Sequence, residues 1–231
     1  MTTAIIPARS GSKRIPMKNI RPIAGIPALC HAIRILKSSD LFDQIVVSTD
    51  YPLIQSIANE EGAITPFIRP QNLSDDFATT KSVITHAIDQ LMLDLDESIC
   101  CFYPTSVLTR PRHLIESKSL SLKNLSSFVF SAKHYPHPIE RAIRLNEFDI
   151  FVEMLAMDSA ERRTQDFENR VHDAGQFYWG TARAWKSDRP ILDVGSQAYL
   201  LGQTEAVDVD TLEDWNLLEA LFQNKELQDG K

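Results

Sequence analysis

As far as Ala132, short apolar runs and amphipathic stretches alternate along the chain: TTAIIPA, PALCHAIRILKSSD, QIVVSTD, then YPLIQSIANEEG. In the second of these, Leu29, Ile33 and Leu36 recur at helical spacing, which predicts one apolar helix face. In the third, Ile45, Val46 and Val47 form an unbroken apolar run, the pattern of a strand covered on both sides. The rhythm continues with a helix over 79–94, a strand at SICCFYP, a helix at RHLIESKSLSL after Pro111 and a strand at SSFVFSA. Strand-helix-strand repetition of this kind predicts an α/β fold, a parallel sheet wrapped by helices.

From 133 to 172 the rhythm is lost. The segment carries two X-Pro steps, many charges and one short apolar patch, IFVEMLAM, and reads as an insertion. A strand at GQFYWG follows, then a loop through Arg189-Pro190, a strand at AYLLG, the segment AVDVD and a closing helix, TLEDWNLLEALF. Thr211 with Asp214 three positions on is a capping-box variant, and Leu212, Trp215, Leu218 and Phe222 are the predicted buried stripe. The final QNKELQDGK reads as a frayed tail. The expected organisation is one α/β domain over 1–132 and 173–231, interrupted by the insertion 133–172.

Composition narrows the function classes. With 43% hydrophobic residues in 231, the chain can bury a sizeable core. A formal charge of −7 gives no global attraction for a phosphate backbone, so nucleic acid is not an expected partner. No window approaches eighteen consecutive apolar residues, and the opening MTTAIIPARSGSKR breaks at Pro7 and turns basic. Neither a signal peptide nor a membrane span is expected, which makes the expected location cytoplasmic. Cys30, Cys100 and Cys101 read as reduced thiols, the adjacent pair pointing to opposite faces of a strand. The six histidines form no H-x-x-x-H or HExxH, and there is no C-x-x-C, so no structural zinc site is expected.

Against this acidic background, Arg9, Lys13, Arg14, Lys18 and Arg21 place five positive charges in thirteen residues. They sit in IIPARSGSKRIPMKN, a loop leaving the first strand, where an open parallel sheet binds its ligand. Ala8, Ser10, Gly11 and Ser12 are small enough for backbone N–H groups to approach phosphate oxygens, and Arg9 and Lys18 supply charge. The loop is neither G-x-G-x-x-G nor G-x-x-x-x-G-K-[ST]. Its pattern PAR-x-G-S-K-x-I-P-x-K-N resembles the nucleotide-binding loop of the cytidylyltransferases that activate sialic acids and their relatives. The resemblance implies that Arg9, Ser12, Lys13, Lys18 and Asn19 hold the triphosphate and ribose of CTP.

The similarity runs on through VVSTD, the IRP step, SDDFATT and the PTS of FYPTSVLTR, and so spans nearly the whole chain. It implies that Arg69 approaches the nucleotide and that Asp75 or Asp76 lies near base and ribose. It also implies that Tyr103 borders nucleotide and sugar, with Thr105 and Ser106 on the sugar side. Where sialic acid enzymes read QPTSPLR, this chain has Tyr103 for the Gln and Val107 for the Pro, a departure that argues against N-acetylneuraminate as substrate.

Two further motifs carry chemistry. In VDVD, Asp208 and Asp210 lie two residues apart, so that on a strand both carboxylates project from one face toward a hard divalent cation. The family resemblance implies Mg²⁺ there. HDAGQFYWG resembles the branch that activates pseudaminic acid. Phe177, Tyr178 and Trp179 also suit the core of a strand, whereas His172, Asp173 and Gln176 are polar groups suited to a polyhydroxylated sugar; His172, Asp173, Gln176 and Tyr178 are the candidate sugar contacts. In the insertion, Arg162 and Arg163 are candidates for the substrate carboxylate, because a guanidinium fork pairs with both oxygens. Alignment with the family favours Arg163, with Gln165 beside it.

The resemblance implies a Rossmann-like three-layer sandwich on a mixed, mostly parallel sheet of the nucleotide-diphospho-sugar transferase type, with a small dimerisation insertion. It implies CMP transfer from CTP to a nine-carbon acidic sugar in a homodimer, with Arg9, Lys18, Asp208 and Asp210 catalytic. Legionaminate, neuraminate or 3-deoxy-manno-octulosonate are alternative acceptors, and an inactive nucleotide-binding homologue is an alternative of another class. A glycosyltransferase using a D-x-D metal site fits PARSGSKRIPMKN less well, because that loop suits a triphosphate.

Overall fold

The computed structural model describes residues 1–123, 125, 127–154, 156 and 161–229. In chain order the strands are β1 (Thr2–Pro7), β2 (Pro22–Ile23), β3 (Ile26–Pro27), β4 (Gln44–Ser48), β5 (Ser98–Phe102), β6 (Val129–His134), β7 (Ile143–Leu145), β8 (Phe151–Met154), β9 (Val171–Thr181) and β10 (Gln197–Leu200). The helices are α1 (Ala28–Ser38), α2 (Pro52–Glu60), α3 (Thr80–Leu91), α4 (Pro111–Ser121), α5 (Ala182–Lys186) and α6 (Leu212–Asp229).

Six strands form one sheet in the order β10-β6-β9-β5-β1-β4. β1 pairs in parallel with β4 and β5, and β10 in parallel with β6, while β9 runs antiparallel to both β5 and β6. The sheet is therefore mixed and mostly parallel, as the family resemblance implies. Helices cover both faces. Leu29, Ile33 and Leu36 of α1, Ile54 of α2 and Leu114 of α4 pack on one side with Cys100, and Ile84 and Ile88 of α3 with Trp185 of α5 pack on the other with Cys101. The adjacent cysteines thus alternate across the sheet, and all three cysteines are free thiols.

β4 is covered on both faces, as its apolar run predicts, with Val47 in the core on one side and Val46 in the core on the other; it is also the edge of the sheet, partly capped by Ile64, which exchanges backbone hydrogen bonds with Ile45 and Val47. Two details differ from the sequence pattern. α6 does not fray after Phe222 but runs on to Asp229, and Lys225 anchors it by donating to the Val107 and Thr109 carbonyls. Leu212 is exposed, leaving Trp215, Leu218 and Phe222 as the buried stripe.

That stripe joins Ile15, Ile23, Val107, Leu108, Val207 and Val209 in a third apolar cluster. It is the cluster that positions the site, because it clamps the basic loop, the PTS loop and the acidic segment onto one helix. Truncating Trp215 to Ala is worth about 3–5 kcal/mol on general grounds and loosens all three.

Between β6 and β9 lies the β7–β8 hairpin, whose Ile143, Leu145, Phe148, Ile150 and Phe151 are exposed. Of the IFVEMLAM patch, Leu155 and Met157 lie outside the described residues. Among the described residues no helix is long and apolar enough to cross a membrane.

Candidate active site

A cleft of about 380 Å³ opens where β1, β5 and the start of β9 meet, lined among others by Arg9, Arg69, Tyr103, Asp173, Asp208 and Asp210. This is the carboxyl end of the parallel strands, where the backbone leaves the sheet and its groups are free to meet a ligand.

The basic loop is fixed by its own polar groups. Ser10 donates from its N and its Oγ to Asp50, at 2.9 and 2.8 Å, and Asn19 donates to the Arg9 carbonyl at 2.8 Å. Lys18 reaches across to donate to the Val209 carbonyl at 2.6 Å. Burial lowers the Lys18 ammonium from its ordinary pKa, and the nearby Asp210 and Asp208 oppose that shift. Arg14 pairs with Asp210 at 2.7 Å, Arg9 with Asp76 at 3.0 Å and Lys13 with Asp76 at 2.6 Å. Lys13, then Arg9, holds the Asp76 carboxyl below its usual range.

Arg69 is 3% exposed yet half-partnered. Its Nε donates to Ser74 Oγ at 3.1 Å, while Nη2 has no hydrogen-bond partner and stands 3.9 Å from Asp50. Burial pushes its pKa down to about 10. A buried guanidinium with a spare donor beside a cleft suits an anionic or carbonyl oxygen arriving from the ligand.

On the far wall, Tyr178 donates to Asp173 at 2.7 Å, the Tyr103 hydroxyl meets Thr80 Oγ1, and the two phenol rings meet edge to face at 5.9 Å. Burial raises both phenols, keeping them neutral. Opposite lies the acidic pair. AVDVD is not a strand, but it keeps the alternation that a strand would give: Val207 and Val209 are buried and Asp208 and Asp210 face outward. Burial, then the charge of Asp210, raises the Asp208 carboxyl above its ordinary range. Gly175, at φ +61°, lies against this carboxylate, where an added Cβ would come within 3.0 Å. Only glycine combines that left-handed backbone with that approach.

The cleft therefore assembles Arg9, Ser12, Lys18, Asn19, Arg69, Asp75, Tyr103, Thr105, Asp173, Tyr178, Asp208 and Asp210 of the candidates. Others it does not bring in. Ala8, Ser106 and Gln176 are buried in the framework, Ser106 donating to the Gln176 carbonyl at 2.8 Å. Ser10 is turned to Asp50, Gly11 and Lys13 lie on the outer side of the loop, and Asp76 is taken up by its two cations. His172 faces an adjoining hollow with Phe130, Leu192 and Val194. Arg163 and Gln165 sit on an exposed turn of the insertion, outside the cleft lining. There Arg162 is occupied, its guanidinium 4.5 Å over the Phe167 ring and donating to the Asp166 carbonyl.

Three residues of the site were not singled out in sequence, Asp50, Thr80 and Gly175, and Arg14 was named only among the loop cations. Asp50 closes the VVSTD motif and Gly175 lies inside HDAGQFYWG, so both carried a signal that was attributed to their neighbours.

Comparison with known proteins identifies the family. A family model described as cytidylyltransferase matches residues 3–166. The pseudaminic acid cytidylyltransferase of Campylobacter jejuni is 37% identical over 220 residues, 94% of each chain. The CMP-N,N'-diacetyllegionaminic acid synthase of Legionella pneumophila is 29% identical over 233 residues, 95% of each chain. Among solved structures, a CMP:2-keto-3-deoxy-manno-octonic acid synthetase complexed with CTP superimposes with a TM-score of 0.71 over 97% of this chain and all of its own, at 13% identity, a likeness of fold.

Proposed function

The chain belongs to the cytidylyltransferase family, and from that premise we propose that it transfers CMP from CTP to the anomeric hydroxyl of pseudaminic acid, releasing pyrophosphate. The observation that carries the reading is the meeting of opposite charges across one cleft: Arg9, Arg14 and Lys18 of the basic loop face Asp208 and Asp210, with Lys18 seated between. The choice of sugar rests on the 37% identity to the Campylobacter jejuni enzyme.

In this reading the sugar hydroxyl oxygen attacks the α-phosphorus, a new O–P bond forms, and the bond to the β-phosphate bridge breaks with its electrons leaving on pyrophosphate. The hydroxyl proton passes to solvent. Positioning and charge neutralisation account for most of such a transfer. Arg9 and Lys18 meet the charge that builds on the phosphates, Asn19 and Ser12 hold the loop to the nucleotide, and Arg69 uses its unpartnered Nη2 on an oxygen of the ligand. Tyr103, Thr105, Asp173 and Tyr178 form the sugar side.

The acidic pair fits a divalent cation. Asp208 and Asp210 present hard oxygen donors into the cleft, and a cation there would offset the burial that, ahead of the charge of Asp210, raises the Asp208 carboxyl. A hard cation held by two carboxylates takes its remaining ligands from water and substrate oxygens. Asp208 and Asp210 would hold Mg²⁺, which when bound offsets phosphate charge.

The exposed apolar hairpin supports a homodimer, in which Arg163 of one protomer, free of the contacts that occupy Arg162, reaches the sugar carboxylate in its partner. The use of CTP suits a cytoplasmic location.

The test is pyrophosphate release from CTP and Mg²⁺ with pseudaminic acid, legionaminate, neuraminate and 3-deoxy-manno-octulosonate supplied separately. Turnover is expected with pseudaminic acid and is expected to fall roughly 100- to 1,000-fold in Asp208→Ala. Turnover confined to another sugar overturns the substrate, and CTP binding without turnover on any of them favours an inactive homologue.

A further inference from the structure

Among the described residues the acidic segment 206–210 has no strand partner, yet its two carboxylates must stand at a fixed place opposite the basic loop. Side chains hold its backbone instead. Lys133 donates to the Ala206 carbonyl at 2.8 Å, Gln176 to the Val207 carbonyl at 3.1 Å and Lys18 to the Val209 carbonyl at 2.6 Å. Of the three, Gln176 alone is fully buried.

Its amide is locked. Both Nε2 hydrogens are used, one on the Ala174 carbonyl at 2.7 Å and one on Val207, so turning the amide over would set its oxygen against two carbonyl oxygens. Oε1 is left buried without a hydrogen-bond partner. A lone buried amide oxygen is costly, on the order of 1–3 kcal/mol in general, and that cost is offset by the two bonds Nε2 makes. The Gln176 backbone completes a junction: its carbonyl accepts from Tyr103 N at 3.0 Å and from Ser106 Oγ at 2.8 Å, and its N donates to Ser131 Oγ at 3.0 Å. One residue thus ties together β9, the PTS loop and the acidic segment.

We infer that Gln176 is a positioning residue for the nucleotide-metal site, setting Asp208 and Asp210 relative to the PTS loop through the Val207 carbonyl, and touches no sugar. The inference rests on the reading of Asp208 and Asp210 as the cation-holding pair. It assigns to Gln176 a role on the phosphate side of the cleft, where the sequence motif had suggested a sugar contact.

The test measures CTP binding by calorimetry with Mg²⁺ and with EDTA, in wild type, Gln176→Leu and Gln176→Glu. Leu keeps the volume and removes both bonds; Glu keeps the shape and, as the neutral acid that full burial favours, donates one of the two, a milder change that keeps the test readable should Leu unfold the chain. In wild type, Mg²⁺ is expected to tighten CTP binding. In Gln176→Leu that enhancement is expected to shrink about 10-fold, and in Gln176→Glu by less, while CTP affinity in EDTA and the KM for the sugar stay within about twofold. An unchanged Mg²⁺ enhancement in both variants, an equal loss with and without Mg²⁺, or a raised sugar KM alone overturns the inference while leaving the cation pair standing. No Mg²⁺ enhancement in wild type overturns the cation reading itself, and this inference with it.

Discussion

In the cleft, a charged group is sunk into the framework: Arg69 is 3% exposed and is held although its Nη2 has no hydrogen-bond partner and only a 3.9 Å approach to Asp50. On the β7–β8 hairpin the reverse holds, with Ile143, Phe148 and Phe151 left 53, 73 and 52% exposed. Each region keeps what a folded chain ordinarily avoids, a buried guanidinium with an unused donor in one and exposed apolar surface in the other. The nucleotide side of the cleft is built within one chain and suits an anionic ligand. The hairpin lacks a covering surface, which a second copy of the chain supplies if the homodimer proposed above forms.

The largest effect that separates the two is expected from Phe148→Ser/Phe151→Ser. Analytical ultracentrifugation should find a monomer, and sugar-dependent pyrophosphate release should fall about 100-fold as Arg163 loses the neighbouring pocket, with CTP affinity nearly unchanged. A fully active monomer breaks the comparison, because the hairpin then completes nothing. The next effect is expected from Arg69→Met, which acts on the cleft alone. CTP binding by calorimetry should weaken about 10-fold, the worth of a hydrogen bond to a charged group, while the thermal midpoint holds or rises because a buried guanidinium no longer has to be desolvated. A lower midpoint with unchanged affinity shows that Arg69 serves the fold only.

The smallest concerns the support behind the cleft. His113, 2% exposed, accepts from the Arg110 N at 3.2 Å and lies 3.3 Å from Glu205, so it ties the start of α4 to the turn that precedes the acidic segment. Burial lowers its pKa below the ordinary 6.5, against the opposing pull of Glu205. A lowered histidine is neutral when folded, so its contribution to stability is complete above 6.5 and is lost as pH falls through the lowered value. Denaturant midpoints of wild type should therefore decline on the acid side of 6.5, and the decline should be shallower in His113→Asn, with turnover at neutral pH changed by less than about twofold. A steeper decline in the variant assigns the acid sensitivity to other groups.

Much of the fold was legible because burial leaves a period in the chain. Leu29, Ile33 and Leu36 recur at helical spacing and all three are fully buried, and Cys100 and Cys101 fall on opposite faces as adjacent strand residues must. Periodicity reports that a residue is covered and is silent about what covers it. Ile45–Val47 read correctly as covered on both faces, but the run could not say that β4 is the edge strand or that its outer side is closed by Ile64 from a loop. The end of α6 read as frayed because nothing in QNKELQDGK announces that Lys225 finds two carbonyls on the PTS loop 116 or more residues away.

For the site, the sequence by itself determined the chemistry on offer: a cluster of cations between Arg9 and Arg21, a pair of carboxylates two residues apart, and small residues where the chain leaves the first strand. Charge and spacing are local properties, and they survive any fold that places the two segments together. Which polar side chains face a ligand and which hold the backbone was decided only by the tertiary structure. The register shift between Phe130 and Ala132, opposite β9, and the antiparallel course of β9 set the direction of every side chain from His172 to Tyr178. Asp173 and Tyr178 thereby turn to the cleft, His172 to the hollow beside it and Gln176 into the core, because side-chain direction in a strand follows pairing and bulges, which the identity of the residue does not encode.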